Sequence, residues 1–207
     1  MVFNIKIVIL TNSKVVDINL TILLNFNKNN MNESLEKWVK RQFAGHLDHA
    51  GKSYYFHCDF VANFSQQIAR VLKLSETEIN SIYQAGLCHD LLEDTNISES
   101  ELVLRTSPKV LSLVKVLTHY PTDSYDCYFE KVLRDRLAVI VKLADAIHNA
   151  MVTRFEEENR SDRLMNESLK YIQRMFLLQH QIMIFYSVNI TQIINEIGYS
   201  SLKKQVE

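Results

Sequence analysis

The 207-residue chain is 47% hydrophobic and 23% charged, and its 23 basic and 24 acidic residues leave a net charge of −1. This apolar content excludes a disordered chain, and the charge balance excludes a global field that would hold nucleic acid or an anionic membrane. Only 4 Gly and 2 Pro are present, too few for the many turns of a sandwich or barrel, so the expectation is long helices in one domain, with or without an appendage. Three widely spaced cysteines, Cys58, Cys88 and Cys127, form no CxxC pair. An odd, unpaired set points to a reducing cytoplasmic compartment rather than a disulfide scaffold.

Residues 1–30 differ from the rest. Apolar runs over Ile5–Leu10 and Val15–Leu24 are interrupted by Lys6, Asp17 and Asn19, and neither approaches the roughly 20 apolar residues of a membrane span. The same polar residues spoil a secretory signal. Two short strands joined through Thr11–Lys14 are one reading. The other is an upstream extension, with the domain proper over 31–207.

From Asn32 the apolar period becomes helical. Leu35, Trp38, Val39, Phe43 and Leu47 share one face of the first stretch, and a second runs from about His57 to Leu72 with Phe60, Val61, Phe64, Ile68 and Val71 as its stripe. Ser75-Glu-Thr-Glu78 and Ser98-Glu-Ser-Glu101 have the capping-box form. The first of them opens a helix expected to continue to about Leu92. Ser107-Pro108 places a cap before a proline at the first helical position, where its missing N–H costs nothing. After Pro121 a helix restarts near Ser124. The run Arg136–Met151 is apolar enough to be a buried central helix. Ser161-Asp162 opens the last long helix, reaching about Tyr186, with a short one expected from Val188 to Ile197. The fold class is all-α, a compact helical bundle with room for a short N-terminal β-hairpin.

The informative residues on such helices are the polar ones that break the apolar stripe. In His89-Asp90-Leu-Leu-Glu93-Asp94, the pairs His89/Glu93 and Asp90/Asp94 are each four apart and would stack along one helical edge. Three carboxylates there would repel one another unless a cation sat among them, although a solvated helix end is the plainer alternative. Lys142, Asp145 and Asn149 share a face of the central helix. An Asp in that apolar setting needs a partner, which Lys142 could supply as an ordinary intrahelical ion pair. His57, taken alone, reads more readily as a capping or core histidine than as a ligand. Taken together, His57, His89, Asp90 and Asp145 form a mixed N/O set that suits Mn²⁺, Fe²⁺ or Zn²⁺ better than Ca²⁺ or an iron–sulfur cluster.

These residues resemble the H…HD…D signature of the HD metal-dependent phosphohydrolases. The finer resemblance is to the hydrolase domain of the RelA/SpoT homologues, especially the small stand-alone alarmone hydrolases. It rests on three ordered elements, Gly51-Lys-Ser-Tyr-Tyr-Phe-His57, His89-Asp-Leu-Leu-Glu-Asp-Thr95 and Lys142-Leu-Ala-Asp-Ala-Ile-His-Asn149. Leu117-Thr118 followed by Tyr125, and Arg154, add to it. The chain departs from the family pattern at Ser53 and Cys58, where Pro is common, at His46, where Gln is usual, and at Asp48, where longer members carry a base-stacking Arg.

The resemblance implies Mn²⁺-dependent removal of pyrophosphate from the 3′ position of a nucleotide, as in conversion of (p)ppGpp to GDP or GTP. It implies metal ligation by His57, His89, Asp90 and Asp145. The cation would hold a 3′-pyrophosphate oxygen and lower the pKa of a water. Glu93 and Asp94 would orient that water and take its proton. Asn149 would meet the ribose, and Lys142, Lys52 and Arg154 the phosphates. His46, His49, His119, His148 and His180 receive no role and read as loop or surface histidines. Hydrolysis without synthesis is expected, because in bifunctional relatives a separate synthetase domain follows the hydrolase. The partner expected is a nucleotide, with no membrane and no strong nucleic-acid signal, and a cognate small alarmone synthetase fits an antidote role. The oligomeric state, the base and the metal are left open. So are two other readings: a different HD nucleotide phosphohydrolase, and a non-catalytic nucleotide-binding module.

Overall fold

The structure is a computed structural model and describes residues 6–11, 14–19, 33–48, 50–151 and 162–188, with side chains described from 33 onward except over 162–168. Strands β1 (Lys6–Thr11) and β2 (Lys14–Asn19) pair antiparallel from Lys6↔Asn19 to Thr11↔Lys14, the hairpin that was one of the two readings of the interrupted apolar runs. The helices follow: α1 (Leu35–Gln42), α2 (Tyr55–Val71), α3 (Glu76–Cys88), α4 (Leu91–Asp94), α5 (Glu99–Arg105), α6 (Pro108–Leu117), α7 (Tyr125–Arg134), α8 (Ala138–Ala150) and α9 (Asp162–Tyr186). Arg154 and His49, and the short helix expected up to Ile197 beyond Val188, lie outside the described residues.

The helix starts are decided locally. Ser75 and Ser98 each accept from the backbone N–H three residues on, and Glu78 and Glu101 reach back to the cap, closing both capping boxes. Ser107 accepts from Val110 with Pro108 in the first turn, and Ser124 accepts from Cys127. Each cap satisfies N–H groups that a helix leaves orphaned.

Two expectations are corrected. The first apolar face stops at Phe43, which caps α1, and Leu47 sits 64% exposed in the α1–α2 loop, where Gly45 and Gly51 adopt positive φ. The helix expected through Leu92 ends at Cys88. His89 and Asp90 form the junction to the single turn of α4. Asp90 occupies the cap position of α4 but makes no capping bond, because its carboxylate is turned elsewhere.

Helix α8 is the central element. Every residue from Ala138 to His148 is buried apart from Lys142, which is partly so. It packs on α2 and on α9, whose Leu178 and Ile182 are fully buried, and α2 packs on α3. At the α2–α3 contact Gly86 is required: a Cβ there would lie 2.7 Å from the Ala62 Cα and 2.9 Å from its backbone nitrogen. The close crossing brings the start of α2, the end of α3 and the C-terminal half of α8 together. No helix among the described residues is long and apolar enough to cross a membrane.

Candidate metal centre

Four side chains from three places in the sequence converge at this crossing. His57 projects from the first turn of α2, His89 and Asp90 from the break after α3, and Asp145 from α8. The His57 Nε2 lies 3.2 Å from His89 Nε2, 3.5 Å from Asp90 Oδ2 and 3.3 Å from Asp145 Oδ1. His89 Nε2 lies 2.8 Å from Asp90 Oδ2 and 3.8 Å from Asp145 Oδ1. Both histidines and Asp145 are buried.

This spacing fits a divalent cation. First-row ions sit about 2.1 Å from N and O donors, so neighbouring donors on one ion lie roughly 3 to 3.5 Å apart. One ligand atom each from His57, His89 and Asp90 falls within 4.8 Å of the others. The tautomer of His89 fits as well. Its Nδ1 lies 2.8 Å from the Gly86 carbonyl oxygen, which can only accept, so Nδ1 carries a hydrogen and Nε2 is the nitrogen that faces the cluster, able to ligate once its own proton leaves.

The surroundings explain how two carboxylates survive burial. Burial by itself would raise Asp90, but His89 beside it and its hydrogen bonds with the His57 and His89 rings hold it well below the usual carboxylate range. Burial would raise Asp145 too, yet the Lys142 ammonium and then the His57 ring keep it low. Lys142 Nζ stands 2.8 Å from Asp145 Oδ2, so the intrahelical ion pair weighed from the sequence is formed. The Asn149 amide nitrogen donates to Asp145 Oδ1 at 2.5 Å. The Tyr54 hydroxyl donates to Asp90 Oδ2 at 2.8 Å, and burial followed by the Asp90 charge keeps that phenol protonated.

Glu93 and Asp94 lie beside the cluster on α4. Because the helix breaks at His89-Asp90, the two are not an extension of one continuous edge. Glu93 Oε2 accepts from the His119 backbone N–H at 3.0 Å. Asp94 is exposed, but partial burial, with Asp90 and Glu93 next, raises its carboxyl above the ordinary value. Lys52 is exposed in the α1–α2 loop and makes no ion pair among the described residues. In the same loop Asp48 accepts from the Ala50 and Lys52 backbone N–H groups, each at 2.9 Å, so this carboxylate fastens the turn.

Sequence reasoning missed two residues. Tyr54 was quoted only as part of a motif, although its place three before His57 puts it at the same helix start. His148, read as a loop or surface histidine, is 7% exposed, and its Nδ1 lies 2.8 Å from His57 Nδ1. The available signal was its position three after Asp145 on the same helix. His119 is also more than a loop residue, since its ring packs against Tyr125 and Tyr128.

Residues 54–150, which hold all four cluster residues, match the HD domain family. Among curated proteins it is 34% identical over 96 residues to the guanosine-3′,5′-bis(diphosphate) 3′-pyrophosphohydrolase of Borreliella burgdorferi, a match covering 41% of this chain. The chain spans only 14% of that relative's length. Among solved structures it resembles one described as a metazoan ortholog of SpoT that hydrolyzes ppGpp and plays a role in starvation responses. That match has a TM-score of 0.52 and 18% identity, covers 72% of this chain and 89% of the other, and shows the shared fold.

Proposed function

We propose that this chain is a metal-dependent 3′-pyrophosphohydrolase of guanosine or adenosine 3′-diphosphate alarmones, converting (p)ppGpp and water to GDP or GTP and pyrophosphate. The observation that carries the reading is the convergence of His57, His89 and Asp90, with Asp145 beside both histidines and Glu93 and Asp94 on the short helix that follows. The match to the HD domain family and the similarity to a named pyrophosphohydrolase support it.

A divalent cation held by the four residues, Mn²⁺ by preference, would neutralise phosphate charge and make water more acidic. In the reaction a water oxygen bonds to the inner phosphorus of the 3′-pyrophosphate, the P–O3′ bond breaks, and O3′ takes up a proton. Asp94, whose carboxyl is raised, takes the proton from water, and Glu93, anchored to the His119 amide, orients that water. Asn149 commits its amide nitrogen to Asp145, which leaves its carbonyl oxygen to accept from a ribose hydroxyl. Lys142 adds positive charge behind Asp145, and Lys52 and Arg154 meet the outer phosphates. A cognate small synthetase would make this chain its antidote.

The test is incubation with Mn²⁺ and, separately, ppGpp, pppApp, dNTPs and NADPH, following released phosphate and pyrophosphate. Pyrophosphate from the 3′-diphosphates is expected. Turnover of dNTPs or NADPH alone would favour a different HD phosphohydrolase, and turnover of nothing would favour a binding module. Asp90→Ala should abolish metal binding and turnover together.

A further inference from the structure

Each residue of the cluster is held from behind by a second group, and three of the four are held by groups whose hydrogen-bond role is fixed. The Gly86 carbonyl can only accept from His89, the Lys142 ammonium can only donate to Asp145, and the partly buried Tyr54 phenol donates to Asp90. His57 differs. Its Nδ1 faces the Nδ1 of another imidazole, His148, at 2.8 Å, and both rings are buried. Phe60, one turn beyond His57 on α2, lies against the His148 ring at 4.5 Å between centroids, which fixes the ring from the other side.

Two nitrogens at this distance need a hydrogen between them. If neutral His57 accepts it, its own hydrogen sits on Nε2 and points at His89 and the two carboxylates, where it blocks ligation. If His57 donates, its Nε2 lone pair faces the cluster. A cation among the four residues is compatible only with the second arrangement, in which His148 Nδ1 accepts.

We infer that His148 is a positioning residue. Its Nδ1 lone pair keeps the His57 hydrogen on Nδ1 and so commits His57 Nε2 to the cation. The inference rests on the metal-centre reading above and adds a residue that touches neither cation nor substrate. Because imidazole can accept or donate, His57 is the ligand whose readiness depends on the state of another side chain, unlike His89 with its carbonyl partner.

The test is Mn²⁺ binding by calorimetry, without nucleotide, to the wild-type chain, His148→Phe and His148→Asn. Phe keeps the ring packing on Phe60 and removes the acceptor, whereas the Asn side-chain oxygen falls close to the position of Nδ1. Circular dichroism and urea unfolding establish that both variants fold. The Phe variant should bind about 10–100-fold more weakly, and the Asn variant should recover most of that loss. In the Zn²⁺-loaded wild type, imidazole ¹H–¹⁵N spectra should show His57 with its hydrogen on Nδ1. Wild-type affinity in the Phe variant would overturn the role of His148 and leave the metal centre standing. Absence of binding by the wild type would remove both. Equal weakening in two folded variants would assign the effect to the ring rather than to its acceptor, and would also overturn the proposal.

Discussion

Gly86 of α3 lies so close to Ala62 of α2 that a methyl group on it would come within 2.7 Å of the Ala62 Cα. This contact sets the distance between the helix that carries His57 and the helix that ends in His89, and the Gly86 carbonyl also fixes the His89 tautomer. Gly86→Ala must push the two backbones apart, since the obstruction is main chain and cannot rotate away. It should cost ~1–3 kcal/mol in urea unfolding, the usual range for overpacking, and weaken Mn²⁺ binding in the fraction that folds. Unchanged stability together with unchanged metal affinity would show that the crossing is looser than described.

Lys142 tests whether a buried charge pair or a substrate contact dominates at that position. Its ammonium is 2.8 Å from Asp145 Oδ2, with the Lys142 side chain 17% and the Asp145 side chain 5% exposed. Lys142→Met leaves Asp145 buried without its cation, and should destabilise the metal-free protein by roughly 3–5 kcal/mol. Added Mn²⁺ should restore more stability to this variant than to wild type, because it supplies the missing positive charge. A variant of wild-type stability with only a raised KM would assign Lys142 to substrate instead.

The pH dependence of the metal-free protein follows from His89. Burial would lower this imidazole, but Asp90 and then Asp145 outweigh it and bring it up to about 9. An unfolded histidine titrates near about 6.5, so the folded state holds the proton more tightly. The resulting stabilisation is complete below that value and is lost as pH rises through about 9. The same proton must leave before Nε2 can ligate, so Mn²⁺ affinity should climb across this window and each binding event should release protons. Calorimetry in buffers of different ionisation enthalpy measures that release; a flat affinity profile with no proton release would contradict it.

Asp94 separates proton transfer from metal binding. Its carboxyl is raised by burial and by the neighbouring Asp90 and Glu93, which makes it a stronger base than an ordinary aspartate. Asp94→Asn should lower kcat about 100- to 1,000-fold while leaving Mn²⁺ affinity within about twofold of wild type, since the loss falls within the contribution expected of one general base. Loss of metal affinity in the same variant would move Asp94 into the ligand set.

Much of this molecule was legible in the sequence because the signals are local. A serine followed three residues later by Glu marks a helix start whose satisfaction needs only one turn of chain, and both such boxes closed as read. The hairpin was one of two readings left open for residues 1–30, and its short connection acts between neighbours. The four residues proposed to hold a cation were recognisable as an ordered motif although they come from distant elements.

Tertiary structure decided what depends on packing between elements far apart in the chain. The helix break at His89-Asp90 turns both side chains toward α2 and α8, and periodicity alone had run the helix straight through it. Glu93 turns to an amide 26 residues away, and His148 meets His57 across 91 residues. The residue types and spacing determined which groups are available for chemistry. Whether each is buried, which atom it offers and what holds it from behind follow from the crossing of α2, α3 and α8, because burial and hydrogen-bond partners are properties of assembled surfaces and not of any single helix.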